Sequence, residues 1–421
     1  MSKQTLAQKI ISRVSGHSMP QPGEIVTCKV DKVLMHDSSG PRRVKDRLAH
    51  LNAKVFDPKK IVLVSDHYVP ATDTESAEIL ALTRDWAETN NIEHFYDMQG
   101  ICHVMLPQHG HLEPGMFLVG GDSHSPTGGA FGTFMVGIGA TEMTGVLATG
   151  EIWIRVPQTI RVNWHGKLQD GVSAKDIMLF LCRELGVNNH YKVIEFAGEC
   201  IDTMGMPERM VLCNMTAEMG AKTGVIAADE TTLDWLRDKG KTPAQDALSW
   251  RSDDDCQYEA IYHFDACELS PQIAAPHSPE NTYAIDAIGK VKIHQAYIGA
   301  CTGAKLSDMQ MAAKVLKGHK VAQGTRLLVA PASQLMLHQA SLDGTLQTLT
   351  EAGAIILPSG CGACAGMGAG AIAAGENCLS STSRNFKGRM GSKDANVYLG
   401  SPYSVAASAI AGRITDPRKY L

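Results

Sequence analysis

The stretch Gly360-Cys361-Gly362-Ala363-Cys364-Ala365-Gly366 sets two cysteines among side chains so small that a bulky inorganic group could lie against the backbone. A C-x-x-C of this kind fits a redox pair, half of a zinc site or a pair of cluster ligands. No second C-x-x-C and no histidine pair completes a tetrahedral zinc set, and a thioredoxin-type motif would open a helix near the start of the chain. Cys301, in Ile298-Gly299-Ala300-Cys301-Thr302, is the third candidate, at the end of one predicted strand and ahead of a helix. Three thiolates at two strand ends suit a cubane that leaves one iron free of protein ligand. Such an iron is an open Lewis acid for a substrate carrying hydroxyl and carboxylate groups. The remaining cysteines, Cys28, Cys102, Cys182, Cys200, Cys213, Cys256, Cys267 and Cys378, read as small core residues.

Acid–base chemistry has its own candidates. Asp66-His67 and Asp122-Ser123-His124 each join a carboxylate to an imidazole after a predicted strand, and His103 in Gly100-Ile101-Cys102-His103 is a third imidazole. A carboxylate fixes the histidine tautomer and raises its basicity, which suits proton delivery to a leaving hydroxyl. Asp-His pairs are also common as structural contacts. Glu195, in Lys192-Val193-Ile194-Glu195-Phe196-Ala197-Gly198, is a carboxylate in an apolar strand, where burial raises its pKa unless a cation or metal-bound water touches it. In Ser381-Thr382-Ser383-Arg384-Asn385-Phe386-Lys387-Gly388-Arg389, two arginines five apart form either a dicarboxylate cradle or a solvated basic loop.

Positioning these groups requires strands that end in polar turns. Lys60-Ile61-Val62-Leu63-Val64 and Met116-Phe117-Leu118-Val119-Gly120 look like buried parallel strands, and Glu75 to Thr89 carries apolar residues at helical spacing. Thr159 to Trp164 alternates as a half-buried strand, and Ser173 opens a helix through about Leu185. The polar stretch Asp238 to Glu280 reads as a loop-rich approach to a boundary. Strands at Val291-Lys292-Ile293, Tyr297-Ile298-Gly299, Arg326 to Val329 and Ala354 to Leu357 follow, with a helix from about Ser307 to Leu316. The expected fold class is α/β, in three units at 1–157, 158–282 and 283–421.

Composition narrows the class of function. The chain has 421 residues, 39 Lys and Arg against 44 Asp and Glu, a net charge of −5 and 44% hydrophobic residues. It is neither a disordered tail nor a basic nucleic-acid binder, and no window approaches the ~18–20 apolar residues of a membrane span. Eleven cysteines, an odd number, and no apolar stretch after Met1-Ser2-Lys3 point to a reducing, cytoplasmic compartment.

The motifs taken together resemble the aconitase superfamily, and within it the large subunits of the two-subunit 3-isopropylmalate dehydratase and homoaconitase type. The carriers are His36-Asp37-Ser38-Ser39-Gly40-Pro41, Asp66-His67, Gly100-Ile101-Cys102-His103, Gly121-Asp122-Ser123-His124, Gly137-Ile138-Gly139-Ala140-Thr141, Ile194-Glu195-Phe196-Ala197-Gly198, Leu212-Cys213-Asn214-Met215, Cys301-Thr302, the C-x-x-C and the arginine motif, in that order over nearly the whole chain.

The resemblance implies three α/β domains around one [4Fe–4S] cluster ligated by Cys301, Cys361 and Cys364. It implies that Asp66 and His67 protonate the departing hydroxyl, that Asp122 orients His103, that His124 lies beside the cluster's water and that Glu195 contacts the iron-bound oxygen. Arg384 and Arg389, with Ser383 beside them, would hold substrate carboxylate. The implied activity is a hydro-lyase acting on isopropylmalate, with homocitrate or a small alkylmalate such as dimethylmalate or citramalate as the alternatives. Because the chain stops at Leu421, the swivelling fourth domain and its catalytic serine are expected from a separate small subunit. An RNA-binding role of a cluster-free form is the non-enzymatic alternative, which the net charge opposes. Two departures stand out: Gly303, Ala304 and Lys305 follow Cys301-Thr302 where similar enzymes carry an Asn and then an Arg, and Ser383 replaces the Asn before the first arginine.

Overall fold

A computed structural model describes residues 3–421. Five parallel strands make the first sheet, in the order His94–Asp97, Ile61–Ser65, Lys32–His36, Phe117–Gly120, Phe134–Gly137. The pleat sorts its side chains by parity. Val33, Met35, Ile61, Leu63 and Val119 enter one core with the capped helix Leu6–Ser15. Leu34, Val62, Val64 and Leu118 enter a second core shared with the rest of the molecule. Both faces are covered, so these strands read as continuous apolar runs.

The second sheet is parallel too, in the order Thr223–Ile226, Lys192–Ala197, Gln158–His165, Ala260–Asp265. Ile160, Val162, Trp164, Ile194 and Phe196 join the large core together with residues of helices Ala174–Glu184 and Met206–Asn214. Ser173 caps the first of these helices, and Asp176 completes the capping box. Gln158–His165 is more deeply buried than its alternation suggests.

The third sheet has seven strands: Thr282–Ala284, Gln272–Ala274, Asn396–Leu399, Asn377–Ser380, Gln295–Ile298, Arg326–Val329, Ile355–Ile356. The last five are parallel, and the first two join as an antiparallel edge hairpin. A limit at 282/283 falls inside that hairpin. Val291-Lys292-Ile293 forms no strand, only a bridge from Lys292 to Arg413.

The first and third sheets share one device. Among the parallel strands of each, the one that comes first in sequence, Lys32–His36 or Gln295–Ile298, lies between two later ones, so the chain builds first to one side of it and then to the other and opens a crevice at the strands' C-terminal ends. No described helix is long and apolar enough to cross a membrane.

Candidate active site

Around the end of Ile61–Ser65 the polar groups are tightly fixed. The Asp37 carboxylate accepts the amides of His67, at 3.1 and 3.2 Å, and of Tyr68, at 2.9 Å. Asp66 Oδ1 lies 2.7 Å from His67 Nδ1 while its Oδ2 accepts the Cys102 amide at 2.7 Å. The His36 ring stacks on His67 with centroids 4.1 Å apart. Burial opposes charge on the His67 imidazole, but Asp66, with Asp37 and Asp122 behind it, holds its pKa up at about 9. Against the same burial, His67 and His36 hold the Asp66 carboxyl well below the usual range. The result is a protonated imidazole held in a fixed orientation, suited to giving a proton away.

A second network starts at Asp122. Its Oδ1 lies 2.8 Å from His103 Nε2 and accepts the His124 amide at 2.8 Å. His124 Nε2 is 3.0 Å from both Glu218 Oε1 and Ser383 Oγ, and Arg384 Nε donates to Glu218 Oε1 at 2.8 Å. Burial is outweighed at His124 by Glu218 and Asp122, which hold its pKa up at about 9. At His103 burial wins over Asp122, and the pKa falls. Two neighbouring imidazoles are thereby set in opposite protonation states, one a cation and the other neutral. The buried Glu218 carboxyl stays below its usual pKa because His124, Arg384 and Lys175 together overcome desolvation.

The cysteine loop docks directly on the first network, for the Cys361 amide donates to the Asp66 carbonyl at 2.8 Å. Gly360 is required there, since a Cβ would sit 2.9 Å from that carbonyl oxygen. Cys301 follows Ala300, held at φ +69° in the left-handed region. Its Sγ accepts from Asn214 Nδ2 at 3.1 Å, and Asn214 also donates to Thr127 Oγ1 at 2.7 Å. Burial pushes the Cys301 thiol up to about 12. A hydrogen bond from Cys361 holds the Cys364 thiol down at about 5 despite burial, helped by the positive charges of Arg389, His124 and Arg384.

This donor set fits an iron–sulfur cluster. All eleven cysteines are free. The three sulfurs do not gather within the 4.8 Å that ligand atoms of a single ion share, as a four-coordinate zinc with ~2.3 Å bonds would demand. Buried polar atoms without partners collect around them: His103 Nδ1, Asn214 Oδ1, Glu218 Oε2, Tyr297 Oη and Arg389 Nε. Unsatisfied buried groups are rare enough that such a concentration marks space for a polar group.

Of the residues singled out from sequence, Asp66, His67, His103, Asp122, His124, Ser383, Arg384, Arg389 and the three cysteines come together. Glu195 does not. It lies in mid-strand opposite Arg161, where its carboxylate accepts from Arg161 Nη1 at 3.0 Å, Tyr258 Oη at 2.9 Å and Ser252 Oγ at 2.6 Å, in a separate cavity of about 1040 Å³. Glu218, in the turn after Met215–Ala217, is the carboxylate that reaches His124 and Arg384.

Sequence reasoning also passed over Lys175, whose buried ammonium donates to the carbonyls of Ser381, at 3.2 Å, and Thr382, at 2.6 Å, pinning the turn that carries Ser383 and Arg384. The unusual Gly303 and Lys305 are accounted for locally. A Cβ on Gly303 would lie 2.1 Å from Ser381 Oγ, and Lys305 Nζ donates to the Cys301 carbonyl at 3.2 Å and to Asp308 at 2.6 Å.

Comparison with known proteins places the chain in a family. The model of the aconitase family (aconitate hydratase) matches residues 8–292 and 286–412. "3-isopropylmalate dehydratase large subunit 1" of Methanopyrus kandleri is 45% identical over 99% of both chains. The protein of the same name from Pyrococcus furiosus is 41% identical over 100% of this chain and 99% of its own. The "3-isopropylmalate dehydratase large subunit" of Heliobacterium modesticaldum is 40% identical over 99% of both. Proteins of this family bind an iron–sulfur cluster. The chain belongs to the aconitase family.

Proposed function

We propose that this chain is the large subunit of a 3-isopropylmalate dehydratase, a hydro-lyase that removes water from a hydroxy dicarboxylic acid and adds it back the other way round. The observation that carries the reading is the bond from the Cys361 amide to the Asp66 carbonyl, which joins the cysteine loop to the acid–base pair. Cys301, Cys361 and Cys364 would hold one [4Fe–4S] cluster. When bound, it supplies a Lewis-acidic iron that polarises the departing hydroxyl.

The chain's own residues do the rest. His67, protonated and oriented by Asp66, delivers its proton to the oxygen as the carbon–oxygen bond breaks. Arg384 is tied to Glu218 through Nε only, which leaves the terminal nitrogens of its guanidinium to grip a carboxylate, and Arg389 lies on the side of Cys364. His103 and His124, both held by Asp122, offer a neutral and a charged imidazole for water and hydroxyl. Ser383 fixes His124 from the opposite side. The relatives' name "large subunit" calls for a small-subunit partner, and a serine of that partner would take the carbon proton. A reducing, cytoplasmic setting suits eleven free cysteines.

The test is anaerobic co-expression with a small subunit, followed by alkene absorbance with 3-isopropylmalate, homocitrate and dimethylmalate. Turnover of 3-isopropylmalate in preference to the others is the expected result. No turnover of any of them with an intact cluster would overturn the reading.

A further inference from the structure

Tyr297 lies in the middle one of the five parallel strands of the third sheet, four residues before Cys301, and its side chain is completely buried. Three glycines make room for its ring. A Cβ on Gly299 would sit 2.2 Å from Cε1 and 2.9 Å from the hydroxyl oxygen, one on Gly370 3.4 Å from Cε2, and one on Gly362, inside the C-x-x-C, 3.7 Å from the hydroxyl oxygen. The ring is therefore aimed along the strand into the Cys361–Cys364 turn. Gln295, two residues earlier on the same face of the strand, secures the far side of that loop by donating to the Gly370 carbonyl at 2.8 Å. At the end of this clamp the hydroxyl proton finds no acceptor.

Burying a donor without an acceptor is a standing cost, and a phenylalanine would fill the same space without it. The groups acting on the hydroxyl, after burial itself, are the Cys364 and Cys361 sulfurs first, then Cys378, and the Ala363 backbone amide, which can only donate to the phenol oxygen and offers no acceptor for its proton. Sulfur is thus the acceptor chemistry this donor faces once those two side chains are thiolates.

We propose that the Tyr297 hydroxyl donates a hydrogen bond to sulfur on the Cys361–Cys364 side of the iron–sulfur cluster and thereby raises its reduction potential. The inference rests on the reading that these cysteines hold the cluster. A donor to thiolate or sulfide stabilises the reduced cluster most, because that form carries the greater negative charge. Tyr297 is then a residue that tunes the cluster and takes no proton from substrate.

The experiment is a redox titration of the anaerobically purified two-subunit enzyme, followed by electron paramagnetic resonance of the reduced cluster, for wild type, Tyr297→Phe and Tyr258→Phe. In Tyr297→Phe, the ratio of reduced to oxidised cluster at the wild-type midpoint should fall about threefold, which is about 28 mV at 59 mV per tenfold for one electron. Tyr258→Phe, in the other cavity, should leave it unchanged. Wild type should also show a proton coupling to the reduced cluster that disappears in D2O and is missing from Tyr297→Phe. An unchanged midpoint with full iron content overturns the proposal, as does a wild-type cluster with no exchangeable coupling beyond that of Tyr297→Phe. A wild-type enzyme with no iron or sulfide overturns the cluster reading itself, and it is told apart by the absence of any signal to titrate.

Discussion

Glu195 and Glu218 are both buried carboxylates of the same region of the chain, yet they occupy opposite situations. Glu195 sits in the middle of Lys192–Ala197, across from Arg161, its oxygens taken up by a guanidinium and two hydroxyls. Glu218 sits in a turn beyond a strand-and-helix unit, shares one oxygen with His124 and Arg384, and keeps Oε2 without a partner. One carboxylate is saturated and the other has capacity left. The contrast repeats at larger scale: the first and third sheets present their polar groups at strand ends, where a crevice opens, and the second presents Arg161 and Glu195 along a strand face. Chemistry follows the strand ends.

The comparison can be broken in several places. The largest effect belongs to the cysteine loop: Cys361→Ser should abolish both bound iron and dehydratase activity, measured by metal analysis and alkene absorbance, while no substitution around Glu195 should change iron content. Next comes His67→Gln, which removes the acid. It should lower kcat by about 10²–10⁴-fold with the cluster retained, a size of effect that Tyr258→Phe should not approach. On the second sheet the expected loss is in stability. Arg161→Leu strips Glu195 of its guanidinium and should cost about 1–3 kcal/mol in denaturant unfolding, with kcat per cluster unchanged.

The smallest effect is in pH. The Glu218 carboxyl is held below its unfolded value, so the stability it contributes is complete above about pH 4.3 and is lost as pH falls through its lower folded value. Glu218→Gln should therefore flatten the fall of the melting temperature as pH drops below about 4.3.

How much of this was legible beforehand depended on whether the signal was local. Ser173 marked its helix because an N-cap hydroxyl works through its own neighbours. Buried strands such as Ile61–Ser65 announced themselves as apolar runs, and the polar groups just past their ends pointed to the site. The edge strand Ala260–Asp265 was hidden in a segment that reads as loop, because most of its residues are exposed and its composition shows no alternation. Lys175 gave no sign, since a lysine on a helix reads as solvated until the Ser381–Thr382 carbonyls come to meet it from another sheet. The two glutamates show the limit most clearly. Glu195 stands inside a motif and Glu218 just beyond one, and only the register of Lys192–Ala197 against Gln158–His165 turns Glu195 toward Arg161 and leaves the site to Glu218.

The most direct test of the account is therefore the pair Glu218→Gln and Glu195→Gln, assayed side by side with 3-isopropylmalate in the two-subunit enzyme at equal iron content. The account predicts that kcat falls by about 10²-fold or more for Glu218→Gln and stays within about twofold of wild type for Glu195→Gln. Loss of kcat in Glu195→Gln with Glu218→Gln unaffected would contradict it.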